Sequence, residues 1–163
     1  MICKMTFCPC FSGKSYEDCC EFVIKNESAT TAFALMRSRY TAYCNQQAEY
    51  LYRTTHCKTR VNSSLIEIEN WSKENRWTKL EIVKVEKGNE SDTIGMVEFK
   101  AHFTDKGGTQ QIHHEKSNFV KEGDSWFYVD GIVNPKKPIT FRAISRNEPC
   151  FCGSCRKYKN CCG

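Results

Sequence analysis

The 163-residue chain has no stretch approaching about 18 apolar residues, so none of it reads as a membrane span. Met1 to Phe7 runs straight into the first cysteines, without the basic and apolar leader that marks secretory proteins. A phosphate-cradling glycine loop, a zinc-hydrolase helix motif and a nucleophile-base constellation are also absent, as is any low-complexity tract. These absences argue against export, P-loop chemistry and metalloprotease chemistry. They favour a cytoplasmic protein without enzymatic activity.

Cysteine is abundant, at 12 residues, which poses a choice between a disulfide framework and metal ligation. Cys8, Cys10, Cys19 and Cys20 form a C-x-C, eight-residue gap, C-C pattern, and Cys150, Cys152, Cys161 and Cys162 repeat it with every spacing unchanged. The match extends to Ser12 with Ser154, Lys14 with Arg156, and Tyr16 with Tyr158. Vicinal pairs such as Cys19-Cys20 suit two ligands in a tight knuckle better than a disulfide framework. Each quartet therefore reads as a closed tetrahedral thiolate site, for zinc or equally for iron, in a reducing compartment. No coordination position is left for water or substrate, so neither site reads as catalytic.

The formal charge is +5, but eight thiolates holding two divalent ions would reduce it to +1. Nucleic acid is thereby weakened as a partner, although zinc knuckles can bind RNA and Arg156 to Lys159 is basic.

Hydrophobic residues at 40% and aromatics at 12% predict a folded, aromatic-rich core. The expected plan is a metal knuckle over residues 1–20, a domain over 21–148 and a second knuckle over 149–163. Pro9 and Gly13 shape the first loop, Gly13 with a positive φ, and a short helical turn across Ser15 to Cys20 brings in the last two ligands. Ser28 or Thr30 can cap a helix carrying Phe33, Met36, Tyr40, Tyr43 and Cys44 at three- and four-residue spacing. Shorter helices are expected over Gln47 to Thr54 and Ser63 to Asn75. From Trp77 the period becomes two, which predicts strands through Leu80–Val83, Val97–Phe103, Gln110–Val120 and Ser125–Ile132. The result is an α+β domain with helices on one face of an antiparallel meander. Asn134 to Pro138 closes it, and a tether pinned by Phe141 and Ile144 leads to the second knuckle.

Several residues carry competing readings. Cys155 stands where Gly13 stands in the first knuckle and is a spare thiol, an alternative ligand or a redox-sensitive position; Cys3, Cys44 and Cys57 read as unliganded. His113 and Glu115 should share one strand face with His114 on the other, so a third metal site would need His56 or His102 from elsewhere. Arg37, Glu115 and Asp130 either pair to hold helix to sheet or line a pocket for an anionic ligand or proton transfer.

The second knuckle resembles the SEC-C motif, through Cys150-Phe151-Cys152-Gly153-Ser154-Cys155-Arg156-Lys157-Tyr158-Lys159-Asn160-Cys161-Cys162, with Cys155 in place of the motif's glycine. The first keeps Ser12-Gly13-Lys14 but has Phe11 where the motif has glycine. Between them, Leu35-Met36-Arg37-Ser38-Arg39-Tyr40, Thr55-His56, Gly95-x-Val97-x-Phe99, His114-Glu115 and Trp126 to Gly131 resemble the YchJ-like bacterial proteins. The resemblance implies an NTF2-like cone of helices on a curved antiparallel sheet, two bound metal ions, and a role in contacting a protein partner. The same motif in the SecA translocation ATPase suggests a SecB-like chaperone or the ribosome as that partner. Lys14, Tyr16, Arg156, Lys157, Tyr158 and Lys159 are then the expected contact residues. The alternative is a small-molecule binder or enzyme that uses the NTF2-like pocket.

Overall fold

In the computed structural model, which describes residues 7–136, 147 and 157–160, the longest helix begins where a side chain replaces a missing backbone partner. Thr31 is extended and its side chain accepts from the Ala34 N–H at 3.0 Å, so α2 runs Ala32–Cys44. Ser28 and Thr30 are thus not the caps; the Thr30 carbonyl accepts instead from the Trp126 indole N–H at 3.1 Å. Ahead of α2, a π-helical turn over Glu17–Glu21 continues into α1 (Phe22–Asn26). After it come α3 (Ala48–Arg53), α4 (Cys57–Arg60) and α5 (Leu65–Glu74), the last capped by Ser64. The three helices expected from periodicity are α2, α3 and α5. Helices α1 and α4, five and four residues long, are too short to display a period.

Four strands follow: β1 (Arg76–Lys87), β2 (Ile94–Thr104), β3 (Gln110–Glu122) and β4 (Ser125–Val133). They pair antiparallel in chain order, with register irregularities in β1 and between Asn118 and Phe119. Each strand outruns its sequence expectation by a residue or more. The domain is α+β, with helices packed on a four-stranded antiparallel sheet.

Helix α2 is the hub of the core. Ala32, Leu35, Met36, Tyr40 and Ala42 are buried, and so are Ser38 and Thr41, so more than one face is covered. Sheet strands β1, β2 and β4 lie against it, as do α3, α1 and the π-helical turn. Its buried Ser38 finds partners inside: the hydroxyl donates to the Leu35 carbonyl at 2.8 Å and pairs with the Tyr50 hydroxyl at 2.7 Å. Leu35 and Leu51 are fully enclosed, each contributing about 2 kcal/mol of burial. Cys8, Cys10 and Cys20 join this same core. The tether, with Phe141 and Ile144, and the ligand cysteines of the second knuckle lie outside the described residues.

Candidate metal centre

The first knuckle closes as a small hairpin. Phe7 and Ser15 form an antiparallel bridge, the Cys8 N–H donates to the Lys14 carbonyl at 2.8 Å, and the Phe11 N–H donates to the Cys8 carbonyl at 3.2 Å. Gly13 takes φ +78°, the turn for which the sequence reserves a glycine. The π-helical turn, closed by the Glu21 N–H on the Tyr16 carbonyl at 3.0 Å, then lifts Cys19 and Cys20 under the loop.

All four sulfurs, from Cys8, Cys10, Cys19 and Cys20, lie within 4.8 Å of one another. The Cys10–Cys19 separation is 3.6 Å and the Cys19–Cys20 separation 3.8 Å. A disulfide needs about 2 Å, and these cysteines are free. Four sulfurs placed about 2.3 Å from a central ion in tetrahedral array stand about 3.8 Å apart. The donor set and its spacing therefore fit a tetrahedral divalent ion.

A second ring of groups surrounds the sulfurs. The Ser12 hydroxyl lies 3.2 Å from the Cys19 sulfur and the Thr41 hydroxyl 3.8 Å from that of Cys8. Arg37 Nη1 donates to the Cys10 carbonyl at 2.9 Å and to its sulfur at 3.6 Å, while its guanidinium stacks 4.7 Å from the Phe33 ring centroid. Cys10 is held at about 4 by hydrogen bonding from Cys20, helped by Ser12 and Arg37 against the opposing effect of burial. Cys20 is pushed up by its hydrogen bond to Cys10 and by burial, and burial also raises Cys19. Hydrogen bonding within the quartet thus lowers one thiol at the expense of its neighbours, and the arginine would offset part of the negative charge that four thiolates bring.

Of the expected contact residues, Lys14, Lys157 and Lys159 are exposed and Tyr16 is half-buried against the core. Arg156 and the Tyr158 side chain lie outside what the structure describes. Sequence reasoning overlooked three phenylalanines around the knuckle: Phe7, Phe11 and Phe22 are 71%, 55% and 63% exposed. For Phe11 a signal was available in the sequence, since it replaces the motif's glycine, and in the structure it takes φ +60°.

Arg37, Glu115 and Asp130 are not brought together. On a helix, residues three or four apart share a face. Arg37 therefore goes with Thr41 toward the sulfurs, while Arg39, Tyr40 and Tyr43 go with Met36 to a cavity against the sheet. Asp130 is exposed and accepts from the Asn118 amide at 2.7 Å. Glu115 is buried and bonded by His113 Nε2 at 2.6 Å, the Ser117 hydroxyl at 2.6 Å and the Tyr128 hydroxyl at 3.0 Å. His114 turns to the opposite face and meets Glu98 at 2.8 Å, as strand alternation requires. His56 pairs with Glu122 at 2.9 Å and His102 with Glu81 at 3.4 Å. Among the described residues, the cysteine quartet is the only grouping with metal-site spacing. Cys44 packs against the core and Cys57 is exposed, while Cys3 and Cys155 lie outside the described residues.

The profile of the YchJ middle NTF2-like domain matches residues 31–131, the stretch that runs from the α2 cap to the glycine beside Glu115. The chain belongs to the YchJ family. The SEC-C motif matches residues 146–163, which include Cys150, Cys152, Cys161 and Cys162. Among YchJ-like relatives, a UPF0225 protein of Geobacter sulfurreducens is 42% identical over 157 residues, covering 96% of this chain and 97% of its own. One from Photorhabdus laumondii is 41% identical over 160 residues, covering 96% and 98%. The crystal structure of a SEC-C motif containing protein from Psychrobacter arcticus aligns with TM-score 0.66 at 33% identity, covering 100% of this chain and 98% of that one. A solution structure of another, from Rhodopseudomonas palustris, gives TM-score 0.70 at 35% identity over 77% of this chain and 96% of its own. No helix of the described residues is long and apolar enough to cross a membrane.

Proposed function

We propose that this YchJ-family chain is a zinc-dependent protein-interaction module of the cytoplasm. In this reading Cys8, Cys10, Cys19 and Cys20 hold one ion, and Cys150, Cys152, Cys161 and Cys162 hold a second. Iron is the other ion this donor set admits. Each ion is structural: it fixes a loop too short to build an apolar core, so binding contributes directly to the loop's folding free energy. The loop then presents side chains outside the coordination shell to a partner.

Phe11 carries the argument. A phenylalanine at φ +60° costs about 1 to 2 kcal/mol relative to a right-handed backbone, and its ring is left largely in water. Neither the backbone nor core packing gains from that arrangement, whereas a surface that meets another protein does. Phe7, Lys14 and Phe22 are exposed on the same stretch of chain. The partner class is drawn from the SEC-C resemblance: a SecB-like export chaperone or the ribosome.

Elemental analysis of protein purified without added metal should find two equivalents of zinc per chain. Capture of SecB-like chaperone and ribosomes is then compared for metal-loaded and chelator-treated protein. Capture that persists unchanged after both ions are removed would sink the proposal. A small-molecule reading draws separate support from the cavity beneath α2.

A further inference from the structure

Between α2, α5 and the sheet lies a cavity of about 190 Å³. One wall is aromatic: Tyr43, Trp71 and Trp77 meet edge-on or tilted, with centroids 4.8 to 5.4 Å apart, and Phe99 continues it. An apolar cavity of about 150 Å³ holds a benzene ring, so this one has room for a single ring with a small substituent.

The two charged groups of the lining have separate surroundings. Glu115 already accepts from His113, Ser117 and Tyr128. Arg39, half-buried on α2, donates through Nη1 to the Leu51 carbonyl and the Thr54 hydroxyl, both at 2.7 Å, and both of these acceptors are neutral. Among the described residues, no carboxylate stands within ion-pair distance of its guanidinium. Tyr128 lies between the two charges: Arg39 stacks 4.8 Å from its ring centroid, while its hydroxyl donates to Glu115 at 3.0 Å. A half-buried cation with neutral partners alone has lost hydration without gaining a counter-ion.

Two other lining residues carry buried groups without a partner among the described residues, Trp77 Nε1 and the Tyr40 hydroxyl. Both can donate, and the lining's one carboxylate is already engaged. What this wall lacks is acceptors, and above all a negative charge opposite Arg39.

We propose that the cavity binds a single-ring organic monocarboxylate, its carboxylate paired with Arg39 and its ring against the aromatic wall. Glu115 has three donors of its own beyond the Tyr128 ring, so Arg39 is the charge left for a guest. This ligand class rests on the small-molecule reading of the cavity and is independent of the interaction surface at the knuckle.

The full metal-loaded chain is titrated near neutral pH with benzoate, benzamide, toluene and benzylammonium while indole fluorescence is followed. Benzamide keeps the shape of benzoate and an acceptor oxygen but has no charge. Benzoate should bind about tenfold tighter than benzamide, because hydrogen bonds between ionised groups are about twice as strong as neutral ones. Toluene should bind more weakly than benzoate, and benzylammonium should be the weakest of the four. Arg39→Gln should erase the advantage of benzoate over benzamide and keep toluene binding. Should that variant fail to fold, the Arg39 Nε–H resonance of the unmodified chain gives the answer: benzoate should shift it and toluene should not. Absence of saturable binding by every probe would overturn the small-molecule reading and the proposal together. Benzamide or benzylammonium binding as tightly as benzoate, an advantage that survives Arg39→Gln, or an unmoved Arg39 resonance would overturn the proposal and leave the cavity as a site for other guests.

Discussion

Arg37 donates to the carbonyl oxygen of Cys10 at 2.9 Å and reaches its sulfur at 3.6 Å, which ties the first knuckle to the central helix through one side chain. Groups that hydrogen-bond to metal ligands usually contribute 10- to 100-fold to metal affinity. Arg37→Ala should weaken zinc binding by about that factor, and Arg37→Lys should recover only part of it, because a single ammonium cannot reproduce the guanidinium's planar fork. Competition against a chromophoric chelator measures both. Unchanged affinity in Arg37→Ala would reduce the contact to a packing detail.

Gly131 and Glu115 form a second coupled pair. Gly131→Ala would drive its methyl group to within 2.0 Å of the Glu115 carboxylate, so the strand or the side chain must shift. A destabilisation of about 1 to 3 kcal/mol is expected, which thermal melts would record as a drop of about 2 to 4 °C for each kcal/mol. In a Glu115→Ala background the same substitution should cost almost nothing. Additive costs across the double-mutant cycle would mean that the glycine serves the backbone and not the carboxylate.

How much of this was readable beforehand depends on how local each signal is. The four sulfurs of the first knuckle announce themselves by spacing alone, and the alternation of Val97, Phe99 and Ala101 gives β2 its face without help from the rest of the chain. Arg37 and Arg39 look equivalent in sequence. Only the phase of α2, fixed by the Thr31 cap, sends one to the sulfurs and the other to the cavity. Asp130 falls on the outer face because its strand neighbour Gly131 faces Glu115. Such placements depend on how elements dock, which residue spacing within one element does not encode.

Glu115 should also leave a mark on the pH dependence of stability. Its folded value lies below the ordinary one because the His113, Ser117 and Tyr128 donors outweigh burial. A depressed carboxylate stabilises the fold fully above its unfolded value of about 4.3, and that contribution is lost as pH falls through the lower folded value. Glu115→Gln should therefore be less stable than the parent at pH 7, and the gap should narrow steadily below about pH 4.3. Acid effects on the sulfur cluster are common to both proteins and cancel in the difference. Denaturant melts at matched pH values measure it; a gap independent of pH would show that the carboxylate is not ionised in the fold.

Phe11 sets stability against binding. In Phe11→Gly the left-handed backbone at φ +60° ceases to be strained, while the unfolded chain gains some freedom. The first effect is about 1 to 2 kcal/mol and the second about half of that, so the variant should be more stable by about 1 kcal/mol and melt about 2 to 4 °C higher. The ring it loses is 55% exposed and contributes little to the core. If the ring is a contact residue, the stabler protein should also be the poorer binder, with partner capture reduced at least tenfold and zinc content unchanged. A variant that gains stability and keeps full capture would remove Phe11 from the contact surface. One that loses both stability and zinc would show that the side chain holds the loop in shape after all.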